Sequence, residues 1–263
     1  MLNKVALITG GSSGIGMEFA RQLADRGWNL LLVSNEEENL RIACHDILYL
    51  NPGIKCEAFY SDLSKPEAPA EIFEYCRKKE FEVEILVNDA GIFILKELTR
   101  HSDEETDLYI NLHMRAVTRL SVLFGREMAK RGHGYILNMS SMSCWMPMPG
   151  IGMYSATKAY IRVFSRTLHL ELKESGVSVM VACPGGIATN LFGLSSRLQR
   201  LGVRLGILAT PKSFVKGALK RLFKGKAQYI NGLLNRFAIV FVSVLPTRAR
   251  LIVQHKLLKG NND

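Results

Sequence analysis

Tyr154 and Lys158 fall four positions apart in Tyr154-Ser155-Ala156-Thr157-Lys158. If this stretch is helical, the two side chains share a face, one turn apart. An ammonium beside a phenol favours the phenolate and draws its pKa from ~10 toward neutrality. A general acid/base for an alcohol/carbonyl pair requires such a group. Ser140 and Ser141 close the apolar run before this helix, so a hydroxyl from one of them could face the same space. Asn111 lies within a helical pattern, where asparagine is a poor helix former. Either it has a job beyond packing or it bends its own helix.

A second group of residues suits a nucleotide. Thr9-Gly10-Gly11-Ser12-Ser13-Gly14-Ile15-Gly16 follows the first apolar run and opens the first helical pattern. Glycines there let the backbone approach a pyrophosphate, and a helix N-terminus offers it N–H donors. The acid that binds a ribose hydroxyl is usually found at the end of the second strand. Here that place is Ser34, followed by Asn35. The missing carboxylate removes a repulsion against a 2′-phosphate, so NADP(H) is slightly preferred. Glu36, Glu37 and Glu38 come next, however, and NAD(H) stays open. The nearest cation, Arg41, reads as part of a solvated helix face. Asp62, in Ser61-Asp62-Leu63, could accept from an adenine amine or serve as a turn or cap residue. Asn88-Asp89-Ala90-Gly91 ends the fourth strand with small residues that leave room for a flat ring.

These residues need elements to position them. Apolar runs at Val5–Ile8, Leu30–Val33, Cys56–Tyr60, Ile85–Val87, Tyr135–Met139 and Val177–Ala182 read as strands. Helical spacing lies between them, as in Phe19, Ala20, Leu23, Ala24 and in Leu40, Ala43, Cys44, Ile47, Leu48. Strand–helix alternation predicts βαβ units and a parallel sheet covered on both faces. With 263 residues, no internal repeat and no linker, one α/β domain is the simplest reading. The five cysteines are scattered without a CxxC, which argues against a disulfide framework or zinc ribbon and fits a reducing cytoplasm. The six histidines form no HExxH, so no metal site is expected.

At this point the motifs fall into a known order. Residues 4 to about 190 resemble the short-chain dehydrogenase/reductase family through TGGSSGIG (9–16), NDAG (88–91), Asn111, NMSS (138–141), YSATK (154–158) and CPGGIAT (183–189). The resemblance implies a Rossmann-like doubly wound parallel sheet of about seven strands, and a carbonyl/secondary-alcohol oxidoreductase using NAD(P)(H). Its catalytic set would be Asn111, Ser141, Tyr154 and Lys158. Ser141 is chosen over Ser140 because the family's serine lies 13 residues before its tyrosine. Tyr154 would exchange the proton with the substrate oxygen and Ser141 would hydrogen-bond it. Lys158 would bind the nicotinamide ribose and lower the tyrosine pKa, and Asn111 would hold a relay water. The implied cofactor contacts are Gly10, Ser12, Ser13, Gly14, Ile15, Gly16, Ser34, Asn35, Asp62, Leu63, Asn88, Ala90, Gly91, Tyr154, Lys158, Pro184, Gly185, Ile187 and Thr189. There are two departures. Asp89 stands where the family's commoner NNAG has an amide that supports the sheet, and the ribose acid is missing at Ser34.

The rest of the chain concerns the substrate and partners. Residues 1–190 are expected to carry the dinucleotide-binding and catalytic core, and 191–263 a substrate flap and basic, hydrophobic helices of the same domain. Residues 1–190 hold 20 Lys+Arg and 23 Asp+Glu, whereas 191–263 hold 14 Lys+Arg and only Asp263. Arg197, Arg200 and Arg204 share a helical face with leucines between them. Phe237–Leu245 and Leu251–Leu258 are apolar stretches flanked by cations. Such segments suit an anionic membrane surface, a core helix or an oligomer contact equally well. None reaches the ~20 apolar residues of a spanning helix, and Val5–Ile8 is too short for a secretory signal. A cytoplasmic protein is expected, with peripheral membrane contact open and a homodimer or homotetramer as its state. The flap suits a lipophilic ketone or alcohol of acyl, sphingoid or steroid type, with Trp145, Met146, Met148 and Met153 as pocket candidates. A non-catalytic dinucleotide-binding scaffold is the alternative. Nucleic acid is excluded because the basic segment lacks interleaved aromatics for stacking on bases.

Overall fold

The structure is a computed structural model that describes residues 4–189, 191, 195–205, 208–244, 246–249 and 251. It opens with strand β1 (Lys4–Thr9), helix α1 (Gly14–Ala24), β2 (Asn29–Ser34), α2 (Glu37–Leu50), β3 (Cys56–Tyr60), α3 (Ala68–Lys78) and β4 (Glu82–Asn88). It continues with α4 (Asp103–Tyr109), α5 (Val117–Arg131), β5 (Gly134–Met139), α6 (Gly152–Leu172) and β6 (Val177–Ala182). It closes with α7 (Ser196–Arg204), α8 (Pro211–Leu222), the two-residue β7 (Gln228–Tyr229) and α9 (Leu233–Ser243). The strands form one parallel sheet in the order β3-β2-β1-β4-β5-β6-β7. The order reverses between β1 and β4, and ligands bind doubly wound sheets outside the strand ends at such a switch point.

The apolar runs form strands because a covered parallel sheet buries both faces of each strand. Val5 to Thr9 and Leu30 to Ser34 are buried throughout. One face carries Phe19 and Leu23 of α1, Leu40 and Ile47 of α2, and Phe214 and Leu219 of α8. The other carries Ile72 of α3, Leu120 and Phe124 of α5, and Leu168 of α6. All six expected strands are present. β4 starts earlier than its apolar run because Glu84 is neutralised by Lys4 at 2.6 Å. β7 carries no apolar run, and backbone bonds to β6 alone define it.

The last quarter of the chain divides. In α8, Thr210 caps Ser213 N–H and five residues are buried, so its lysines are the solvated side of a core helix. In α7 no residue is buried, and Leu198, Leu201 and Leu205 are exposed. On α9, Leu234, Phe237 and Phe241 are exposed while Ile239 is buried. Apart from Leu251, the stretch Leu251–Leu258 lies outside the described residues. No helix among the described residues is long and apolar enough to cross a membrane.

Candidate active site

A cleft of about 520 Å³ opens at the switch point. One wall is Gly10, Ser13, Gly14 and Ile15, and the opposite wall is Pro184, Gly185, Ile187 and Thr189. Asp89, Ala90, Gly91, Ser140, Ser141, Tyr154 and Lys158 line it between these walls. Gly10 has φ +68°, and a Cβ there would come within 3.0 Å of the Ala90 backbone. A Cβ on Gly16 would lie 2.2 Å from the Gly10 carbonyl oxygen, so the α1 N-terminus seats tightly under the loop. Ser13, the α1 N-cap, makes no side-chain cap bond. The Gly14 and Ile15 N–H groups therefore remain as anion donors, while that of Gly16 is taken by Asp89. The far wall is fixed by Gly185 N–H donating to Asn231 Oδ1 at 2.9 Å, and by the Ile187–Ala209 bridge.

The two serines separate by role. Ser140 Oγ donates to the Lys158 carbonyl at 2.7 Å and braces α6 against β5. Ser141 accepts from Ser143 N–H at 3.1 Å, and its hydroxyl is hydrogen-bonded to the Tyr154 phenol. Tyr154 and Lys158 are both buried, with Nζ 5.6 Å from the phenol ring centre.

The electrostatics correct the simple reading of this pair. Burial pushes the Tyr154 phenol up to about 12, opposed by the Ser141 hydrogen bond. Burial also lowers the Lys158 ammonium to about 8, while the Asp89 carboxylate supports its charge. The ammonium donates to the Met139 carbonyl at 2.9 Å. Burial thus shifts the phenol upward, opposite to the lowering expected from the lysine's position on the helix.

Three neighbours complete the site: Asp89, the departure within NDAG, and Phe93 and His113, which carry no motif. Asp89 follows β4 and meets the α1 N-terminus at Gly16 N–H; burial raises its carboxyl to about 7 against the pull of Lys158. Phe93 packs edge-on against the Tyr154 ring at 5.2 Å. His113 is fully buried, and its Nε2 accepts from Ile92 N–H at 3.0 Å. Thr157 Oγ1 spends its proton on main-chain carbonyls, so His113 Nδ1–H must donate to it across 2.9 Å. The ring is therefore held neutral, with its pKa well below the ordinary value through burial and the Lys158 charge. A lone histidine two residues after Asn111 gave no signal of this in the sequence.

Other expected residues are not among those that line the cleft. Asn111 is half-buried in a π-helical turn, Ile110–Ala116, that joins α4 to α5. Such turns often mark functional sites, and the distortion belongs to the turn as a whole. Asn88 turns into the sheet: its amide donates to Asn138 Oδ1 at 2.7 Å and to Ser121 Oγ at 3.2 Å. Asn88 therefore ties β4, β5 and α5 together, and the sheet-supporting amide is Asn88 rather than its neighbour at 89. Leu63 is buried in the core, and Asp62 Oδ1 accepts from Ser64 N–H at 3.0 Å, a turn role. Ser12 and Ser34 are joined at 2.9 Å beyond the cleft's edge, and Asn35 is exposed.

The pocket candidates are also displaced. Met146 and Met148 line a separate apolar cavity of about 640 Å³ with Leu98 and Ala156, which shares no residue with the cleft. Ala156 lies about 200° around α6 from Tyr154, so this cavity is on the far side of the helix. Trp145 is stacked under Arg162 at 4.4 Å.

The glycine cradle, the uncapped helix start and the open far wall fit a nicotinamide dinucleotide. A doubly wound sheet with such a cleft and an ionisable Tyr–Lys pair on its floor defines a dinucleotide-dependent oxidoreductase. Residues 4–198 match the model of the short chain dehydrogenase family. The chain is 30% identical to a very-long-chain 3-oxoacyl-CoA reductase from Anas platyrhynchos, covering 97% of this chain and 79% of that one. It is 32% identical to a 3-oxoacyl-(acyl-carrier-protein) reductase from Escherichia coli K12, covering 87% and 96%. A short-chain dehydrogenase from Sphingobium yanoikuyae, solved with NADPH, superposes with a TM-score of 0.78 at 28% identity, covering 94% and 97%. The chain belongs to the short-chain dehydrogenase/reductase family, NAD(P)-dependent oxidoreductases acting on CH–OH and C=O groups.

Proposed function

We propose that this protein interconverts a lipophilic ketone and its secondary alcohol, with Tyr154, Ser141, Lys158 and Asn111 as its catalytic set. The observation that carries this reading is the Tyr154 phenol, hydrogen-bonded to Ser141 on the floor of the glycine-walled cleft. Gly10, Ser13, Gly14 and Ile15 would hold the pyrophosphate half of the dinucleotide. Pro184, Gly185, Ile187 and Thr189 would hold its nicotinamide half. The dinucleotide supplies or accepts the hydride. Ser141 and Tyr154 together offer hydroxyl donors to a carbonyl oxygen. A phenol held up near 12 keeps its proton at neutral pH and is ready to give it to the nascent alkoxide. Lys158 places positive charge beside the phenolate left behind, and Gly91 makes room for the buried His113, since a Cβ there would come within 3.0 Å of Nε2. His113 and Phe93 hold the tyrosine ring in place.

A lipophilic substrate is supported by the exposed leucines of α7 beside the cleft and by the relatives that are 3-oxoacyl reductases. Residues 1–190 would form the catalytic core and 191–263 the flap. The exposed apolar side chains of α7 and α9, set among arginines, would rest peripherally on an anionic membrane. The test is reduction of a panel of 3-oxoacyl thioesters, sphingoid ketones and steroid ketones, followed by reduced-dinucleotide absorbance. Turnover confined to small hydrophilic ketones would sink the substrate class, and no turnover with any ketone would sink the reading.

A further inference from the structure

We infer that Glu36 makes this enzyme select NAD(H) over NADP(H), taking over the task of the carboxylate missing at Ser34. This rests on reading the cleft as a nicotinamide-dinucleotide site. Glu36 is the α2 N-cap, two residues beyond the end of β2, and its side chain folds back over the glycine loop. Ser12 Oγ donates to Glu36 Oε2 at 3.2 Å, and Ser34 Oγ lies 2.9 Å from Ser12 Oγ. The Glu36 N–H donates to Ser34 Oγ at 3.2 Å, which closes a small ring of bonds between loop and strand end. Asn39 Nδ2 donates to the same Oε2 at 3.2 Å. The carboxylate is thus steered to the spot where β2 meets the glycine loop, the place from which an acid reaches a ribose diol. Both bonds fall on Oε2, which leaves Oε1 to accept.

The surrounding charge points the same way. No ion pair to Glu36 is found among the described residues. Arg41, the nearest cation in the sequence, is turned onto Glu38 at 2.9 Å, with 76% of its side chain exposed. Among the described residues no cation there offsets the carboxylate against a 2′-phosphate. A ribose diol can donate to it, whereas a phosphate dianion can only be repelled. The slight lean toward NADP(H), read from the missing acid at Ser34 and weighed against Glu36, Glu37 and Glu38, is reversed by the fold of Glu36 over the glycine loop.

The experiment is equilibrium titration of the purified chain with NADH and with NADPH, read by calorimetry at low and high salt, for the native protein, Glu36→Gln and Glu37→Gln. The expected result is NADH binding tighter by about tenfold. Glu36→Gln should narrow that ratio severalfold, mainly by tightening NADPH, and salt should narrow it in the native protein as the repulsion is screened. Glu37→Gln removes the same charge from the first turn of α2 and should leave the ratio unchanged. Tighter NADPH binding in the native protein, an unchanged ratio in Glu36→Gln, or equal effects of both substitutions would overturn the assignment. Binding of neither dinucleotide would instead remove the dinucleotide reading on which it stands.

Discussion

The Lys158 ammonium donates to the main-chain carbonyl of Met139 at 2.9 Å, where β5 ends two residues before Ser141. This bond pins the charge to the sheet and keeps it 5.6 Å from the Tyr154 ring centre. From there its charge lowers the pKa of the Asp89 carboxyl and of the His113 ring, so its protonation state sets the charge on the floor of the cleft.

That arrangement makes the pH profile informative. Lys158 is depressed from 10.5 to about 8, so ketone reduction should fall as pH rises through about 8 and the supporting charge is lost. Asp89 sustains that charge, so Asp89→Asn should move the falling limb to lower pH. Stability carries the matching signs. Between about 8 and 10.5 the unfolded chain keeps a proton that folded Lys158 has lost, which favours folding as pH rises. Asp89, raised from 3.8 to about 7, holds a proton in the folded state that the unfolded chain has lost, so its contribution falls as pH rises across that window. A limb that does not move in Asp89→Asn would remove the coupling.

Tyr154→Phe should abolish turnover while leaving dinucleotide affinity within a few-fold. The ring stays packed between Phe93 and His113, so only the proton donor is lost. Such a loss costs on the order of 10²-fold or more in rate. Steady-state kinetics beside a binding titration will check it, and near-native kcat would refute the role of the phenol.

The adjacent serines should part company. Ser141→Ala removes the hydroxyl that bonds Tyr154, so kcat should drop with little change in melting temperature. Ser140→Ala removes a buried bond to the Lys158 carbonyl and should cost about 1 kcal/mol or more of stability. Thermal melts and kinetics on the pair distinguish the two roles, and the reverse pattern would exchange them.

Most of the fold was legible because a sheet buried on both faces forces continuous apolar runs, and six of them stand in the sequence. β7 was not, because two residues held by backbone bonds leave no side-chain pattern. Tyr154, Lys158 and the glycines could be found because each needs one residue type at one spacing. His113 could not, since its place depends on a π turn that brings it beneath α6. The tyrosine pKa was misjudged because spacing shows the neighbouring charge and not the burial that opposes it. Asn88 was misplaced because position at a strand end does not say which face the amide takes.

The last expectation concerns the exposed face of the C-terminal quarter. Residues 191–263 carry 14 Lys+Arg and one acid, and among the described residues α8 buries five side chains in the core while α7 buries none. Leu198, Leu201 and Leu205 of the α7 region and Leu234, Phe237, Phe241 and Val244 of the α9 region project into solvent. Arginines 197, 200, 204 and 236 lie among them. Bulky apolar side chains ringed by cations gain both from shallow insertion and from attraction to anionic headgroups. Each cation near the surface adds about 1 kcal/mol, and the attraction fades over a Debye length of ~10 Å at 0.1 M salt. The protein should therefore co-sediment with phosphatidylserine-containing vesicles at low salt and be released from them at high salt. Phosphatidylcholine vesicles should retain less of it. Phe237→Ser with Phe241→Ser should weaken binding without lowering dinucleotide affinity, because these rings are exposed and are not among the residues lining the cleft. Protein that stays in the supernatant with anionic vesicles at low salt would show that α7 and α9 cover something other than a membrane, and an oligomer seen by sedimentation velocity would then account for the face.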